Sequence, residues 1–325
     1  MLISGKSGFR LALAAGFVLA ATAATASPAL AAGPTLTGAI QVGGAPFAIA
    51  VDPLTSAVYT ANLAGNSVTA IDGRTKRVTA TIGVGRQPEG VAVNTATHTV
   101  YVTNFRDDTV SVISGRRSKV TSTIPVGDGP VGVAVNAATN TVYVAVSGGN
   151  SLWVINGRTG KVTTTIGVGN SPQEVAVNPV TNTVYVTNFG TVSMTVINGR
   201  TNKVTTTIQN ILFPQEIAVD TTTNTVYVPD DIGRLLVING ATNTLTATIK
   251  VGRELEGVAV NPLTSTVYVT DTFDNTISLV NTHTNKVTST LTDGSNLPFV
   301  LAANPLTATA YVTNRGNNTV SLITN

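Results

Sequence analysis

Oxygen-bearing side chains recur at one register of this sequence. Glu89, Gln173, Glu174, Gln215, Glu216 and Glu256 stand one or two residues after one recurring column, Pro88, Pro172, Pro214 and Leu255. Carboxylates gathered in this way offer the hard oxygen ligands that Ca²⁺ and Mg²⁺ prefer. A divalent ion held there would polarise a carbonyl, such as that of a lactone. The same side chains would serve equally well to solvate the rim of a channel. Two aromatic residues, Phe47 and Phe299, occupy the equivalent position after Pro46 and Pro298. Composition removes most other chemistry. There is no cysteine, which excludes thiolate metal sites, a disulfide framework and a Cys nucleophile. The two histidines, His98 and His283, stand where equivalent segments carry Asn or Ser, and read as turn substitutions. No Walker, Rossmann or zinc pattern is present. Links such as Gly83-Val84-Gly85 are turn chemistry.

The register itself comes from a repeat. All seven tyrosines fall in one column: Tyr59, Tyr101, Tyr143, Tyr185, Tyr227, Tyr268 and Tyr311. Proline stands thirteen residues before every one except Tyr268, which has Leu255. Asp or Asn stands seven before each. A period near 42 with four short strands per copy signals a propeller blade. In one copy, Glu174 to Asn178 reads as strand a and Thr183 to Asn188 as strand b. Ser193 to Asn198 and Lys203 to Ile208 read as strands c and d. Val and Thr alternate through them, as half-buried strands require. Asn198-Gly199 is expected to supply a positive φ to the c–d hairpin.

The expected fold class is therefore all-β, a seven-bladed propeller with four antiparallel strands per blade. The last copy ends in strand c at Thr319 to Ile323, and Leu36 to Val42 matches a strand d that lacks its own blade. These two should pair and close the ring, removing an exposed edge. The residues before that strand read as an export signal. Lys6 and Arg10 form a basic n-region, Leu11 to Ala26 an apolar stretch, and Ala29-Leu30-Ala31 a small-x-small cleavage pattern. The expected organisation is a signal peptide over 1–31 and one propeller over 32–325, extracytoplasmic and without a transmembrane segment after cleavage. Only 11% of the residues are charged, against about 25% in an average soluble protein. Thr, Asn and Ser must then make much of the surface.

Tyr101-Val102-Thr103-Asn104, Tyr185-Val186-Thr187-Asn188 and Tyr311-Val312-Thr313-Asn314 resemble the signature of the YVTN-repeat β-propellers. Blades three, five and six depart from it, with Tyr143-Val144-Ala145-Val146, Tyr227-Val228-Pro229-Asp230 and Tyr268-Val269-Thr270-Asp271. The resemblance implies an exported surface-layer or periplasmic protein, a class in which some members bind nucleic acid. It extends to lactonase-like and streptogramin-lyase-like enzymes. Propellers host many activities, so function must be argued from a site.

In such a blade the d–a links and b–c turns share one face, the top, and the a–b and c–d turns share the bottom. Top turns differ freely between copies, whereas bottom turns scarcely change. Phe105, Phe189 and Phe213 join Phe47 and Phe299 on top segments, and Glu89, Glu174, Glu216 and Glu256 add acid there. Phe47 and Phe299 should meet at the channel mouth, while Phe105 and Phe189 are expected to be exposed. The c–d hairpins of the first four blades carry Arg74, Arg77, Arg116, Arg117, Lys119, Arg158 and Arg200, a basic arc suited to a polyanion such as nucleic acid or an anionic envelope polymer. The expectation is a monomeric, secreted or surface-associated, non-catalytic binding or scaffold module, with its ligand on the top face. The alternative is a metal-assisted lactonase- or lyase-like enzyme using the top carboxylates, with Ca²⁺ or Mg²⁺ as its ion.

Overall fold

The computed structural model describes residues 33–294 and 296–324. The expected signal peptide lies outside these residues. The described chain forms seven four-stranded antiparallel sheets, each ordered a-b-c-d, arranged as a seven-bladed β-propeller. Blade four shows the match to expectation: Pro172–Asn178, Thr183–Asn188, Ser193–Asn198 and Lys203–Gln209 are its strands. Blade seven draws its strand d from the start of the described chain. Thr35–Gln41 pairs antiparallel with Thr319–Thr324, from Thr35 opposite Thr324 to Gln41 opposite Thr319. No helix among the described residues is long and apolar enough to cross a membrane.

The core lies between neighbouring blades, and the repeated tyrosine bridges them. Tyr101 of blade two packs with Val133, Val142, Val144 and Ile155 of blade three. Tyr311 of blade seven packs in the same way on Ile49, Val58 and Ile71 of blade one. Six of the seven tyrosines are among the largest fully buried side chains. Their rings therefore contribute area burial to every joint at once.

Each residue of the Tyr-Val-Thr-Asn segment has a separate task. In blade two the Tyr101 hydroxyl donates to the Gly157 carbonyl of the next blade at 3.4 Å. Val102 is fully buried. The Thr103 hydroxyl donates across to the Val131 carbonyl of blade three and accepts from the Gly90 amide at 2.7 Å. The Asn104 amide donates to Thr109 and Ser111 at 3.0 and 2.9 Å, while its oxygen accepts from the Gly85 amide. Departures from the pattern are compensated locally. Blade three puts Val146 in place of Asn and Trp153 in place of the Ser partner, so a polar contact becomes an apolar one. Blade five puts Asp230 there, and Arg234 pairs with it at 2.6 Å.

The expected role of Gly199 is corrected. The positive φ of that c–d turn falls on Asn202, at 54°. Gly199 is needed for space instead, because a Cβ there would lie 2.9 Å from both the Asn182 carbonyl oxygen and the Tyr143 hydroxyl. The bottom turns are also linked side chain to side chain. Asn94 donates to Asn140, Asn136 to Asn182 and Asn178 to Asn224, at 2.8, 2.8 and 2.7 Å. Between blades one and two the same link is made by Asp52 and His98, at 2.6 Å. His98 is thus a joint in the scaffold, as its place in a turn implied.

Candidate functional site

The site is built by an irregularity repeated at the start of strand a. In blade four the ladder to strand b pairs Pro172 with Asn188 and resumes only at Val175. Gln173 and Glu174 fall in the gap. The same shift occurs between Pro88 and Val91, Leu255 and Val258, and Pro298 and Leu301. A bulge bends a strand and re-aims the residues it releases. The threonine of strand b pins it, for the Thr187 hydroxyl accepts from the Glu174 amide at 3.0 Å and donates to the Gln215 carbonyl of the next blade. Pinned bulges thus present side chains at the channel mouth in blades two, four, six and seven, while Gln215 and Glu216 of blade five precede its short strand a, Ala218–Asp220.

The ring encloses a cavity of about 180 Å³. Phe47, Glu89, Gln173, Glu174, Gln215, Glu216, Glu256 and Phe299 all line it. Valines and Ile49 below them complete its wall. Its chemistry divides by blade. Blades one and seven, neighbours through ring closure, supply an aromatic side, with Phe47 and Phe299 centroids 4.8 Å apart and planes tilted by 54°. The Arg315 guanidinium lies over both rings, 4.5 Å from Phe299 and 5.3 Å from Phe47, a cation–π arrangement. Blades four and five supply a carboxylate and amide side.

The carboxylates are half-buried at the cavity wall, and the partial loss of water favours the neutral acid. Burial pushes Glu89 up to about 7, with Arg106 opposing it. Glu256 also rises to about 7, through burial first and then the charges of Asp231 and Glu254, with Arg315 opposing. Burial likewise raises Glu174, although the Val175 amide donates to its Oε1 at 3.0 Å. Glu216 is raised furthest, by burial and by the two charges that face it, Glu174 and Glu256.

The other expected top-face aromatics are elsewhere. Phe189 and Phe213 pair with each other, centroids 5.3 Å apart, and neither lines the cavity. Phe105 packs beside Gly129. Phe105 and Phe189 are half-buried, which corrects their expected exposure, and Phe213 is exposed. Ile211, two residues before Phe213, is buried in the joint between blades four and five. The sequence reading missed Arg315 as a partner of the aromatic pair. Its signal was an arginine directly after Asn314, where two other copies carry Phe105 and Phe189. Asp231, Glu254 and Glu256 bring carboxylate oxygens within 4.8 Å of one another, a group able to hold a metal ion.

The basic residues Arg74, Arg77, Arg116, Arg117, Lys119, Arg158 and Arg200 are exposed on c–d turns and adjoining strand starts of blades one to four. Among them, Arg74 alone makes an ion pair within the described residues, with Asp72 at 3.9 Å.

Neither a family model nor a curated protein matches the chain. Among solved structures, a chain of Kuenenia stuttgartiensis hydrazine synthase is similar, with a TM-score of 0.78 and 21% identity over 89% of this chain and 98% of that one. Fold matches extend to 1785 chains, so an architecture this widely used carries no activity with it. The likeness is one of fold.

Proposed function

We propose that this chain is an exported, non-catalytic binding module of the YVTN-repeat propeller type, which seats a small ligand in the channel-mouth cavity. One observation carries the reading: the starts of the strands a gather an aromatic pair and four carboxylates around one cavity at the channel mouth. Pockets with an apolar wall and a few convergent polar groups are where ligands bind. The cavity lining holds no histidine, lysine or serine, so it offers no nucleophile-and-base pair of the usual kind. Export and a place outside the cytoplasm rest on the signal-like residues 1–31 and the Tyr-Val-Thr-Asn segments. The basic arc adds a second contact surface, toward a polyanion.

Fragment soaking into crystals tests the reading. Hits should gather in the cavity and be lost when Phe47→Leu and Phe299→Leu remove the aromatic side. Hits scattered over both faces, and indifferent to those changes, would refute it. A second reading, a metal-assisted lactonase or lyase, draws on Asp231, Glu254 and Glu256, since Glu256 belongs to both that group and the cavity. Hydrolysis of a lactone panel that requires Ca²⁺ or Mg²⁺ and fails in Glu256→Gln would establish it instead.

A further inference from the structure

None of the four cavity glutamates, Glu89, Glu174, Glu216 and Glu256, has a salt-bridge partner among the described residues. Of the four only Glu89 and Glu256 feel an opposing cation, Arg106 and Arg315. No lysine or arginine lines the cavity with them. Enclosed carboxylates without a partner are costly, and those that face one another are costlier still. Two acids elsewhere are paired, Asp230 with Arg234 and Asp52 with His98. A cation from outside would relieve both the desolvation and the mutual repulsion at this site.

The spacing of the carboxylates selects the kind of cation. A hard metal ion needs several oxygens converging on one point. Among the described residues the group that meets this condition is Asp231, Glu254 and Glu256, and of these Glu256 alone lines the cavity. Glu174, Glu216 and Glu256 come from the adjacent blades four, five and six and act on one another, while Glu89 comes from blade two, so the charge falls in two places on the wall. Gln173 and Gln215 add amide oxygens that accept N–H groups. Between the polar groups lie Ile49, Val91, Val133 and Val175. Dispersed negative charge separated by aliphatic surface is complementary to separated positive charge on an aliphatic spacer. The aromatic faces are compatible with a cation, since they already carry the Arg315 guanidinium. The cavity is smaller than pockets that take drug-sized ligands.

We infer that the channel-mouth cavity binds a linear aliphatic diamine or polyamine. The inference rests on the reading of this cavity as the ligand seat and names the ligand's chemistry. The ammonium groups pair with glutamates on different blades, and the methylene spacer lies on the valines and the phenylalanine pair.

Thermal unfolding at pH 8 tests it on the whole folded chain, with 1,5-diaminopentane, spermidine, 1,4-butanediol, Ca²⁺ and Mg²⁺ as probes. Either amine, at about a hundredfold over its Kd, should raise Tm by about 4 °C. The diol should leave Tm unchanged. Glu174→Gln combined with Glu216→Gln keeps the shape of both side chains and should abolish the amine shift. If that variant melts below the parent, Glu89→Gln on a different blade carries the same test. An amine shift that survives these substitutions, or one matched by the diol, overturns the inference. A shift with Ca²⁺ or Mg²⁺ while both amines are silent also overturns it. Neutral fragments bound in the cavity, and lost with the phenylalanine pair, would keep the ligand seat while rejecting the amine.

Discussion

The two ends of strand a treat their polar groups in opposite ways. At the bottom, Asn94, Asn136 and Asn178 are buried and paired to the next blade, and Asp52 is paired to His98. At the top, a few residues away on the same strands, Glu89 and Glu174 face a cavity whose lining holds no lysine or arginine. Both ends are polar, and both are crowded by neighbouring blades. The bottom links hold because donor and acceptor are both supplied by the repeat. The bottom belt is also incomplete where the repeat drifts: the side-chain amide nitrogens of Asn261 and Asn304 lack partners, since Ala308 and Ser56 stand at the receiving positions. Such gaps follow from substitution of one partner. The top ring has no basic member in any blade at the register of its acids. The strands thus pair most of their buried polar groups at the bottom and leave carboxylates without salt bridges around a cavity at the top.

That contrast can be broken first by opening the ring. Deleting residues 35–41 uncovers the edge strand of blade seven, and we expect a Tm lower by more than about 10 °C with aggregation, read by calorimetry and size-exclusion chromatography. A soluble deletion with an unchanged Tm would show that closure contributes little. A smaller loss should follow from Asn136→Ala, which orphans Asn182 and removes acceptors for two turn amides. The expected cost is about 2 kcal/mol. Glu174→Gln at the opposite end of a neighbouring strand should cost nothing.

The pH response sharpens the same comparison. Glu89 and Glu256 have an ordinary value of 4.5 and stand at about 7 in the folded chain, and Glu174 and Glu216 are raised in the same direction. The folded state therefore holds protons that the unfolded chain releases. The stability this gives is fully present below about pH 4.5 and is lost as pH rises through about 7. Tm should fall by a few degrees between pH 5 and pH 8, and the fall should flatten in the Glu174→Gln, Glu216→Gln variant. A steeper fall in that variant would contradict the assignment. The smallest effect on stability belongs to the basic arc. Arg116→Ser, Arg117→Ser and Lys119→Ser together should move stability by no more than about 0.5 kcal/mol. They should weaken any salt-sensitive binding of duplex DNA or a teichoic-acid-like polymer in fluorescence anisotropy. Binding that ignores both salt and these changes would remove the arc from consideration.

Strand positions were legible because seven copies repeat one alternation, and the boundaries of strands b and c in blade four follow it directly. The closing strand was legible for the same reason, within one residue. Radial position was not. Phe105 and Phe189 stand on b–c turns, whereas Phe47 and Phe299 stand on strand a, which touches strand a of the neighbouring blades. Sequence alone says that all four are on the top. Only the order of strands within a sheet says which reach the channel. The bulge that releases Gln173 and Glu174 was hidden as well, because it depends on the threonine of strand b reaching into the next blade. Gly199 was misread because its need for space comes from Asn182 of the facing turn and Tyr143 of another blade, contacts with no trace in the local pattern.

The seam of blade seven imposes an order on the life of the chain. The contact between Thr37 and Leu322 spans 285 positions, so tying it costs on the order of 5 kcal/mol in loop entropy. Synthesis delivers Thr35–Gln41 long before Thr319–Thr324 exists, and the early strand must wait without its mate. In the closed ring Gly38 takes a φ of 63° beside a break in register, a bulge in the strand that makes the seam. Pulse-labelled hydrogen exchange during refolding should find the amides of this strand protected last, after the blades it locks have already assembled.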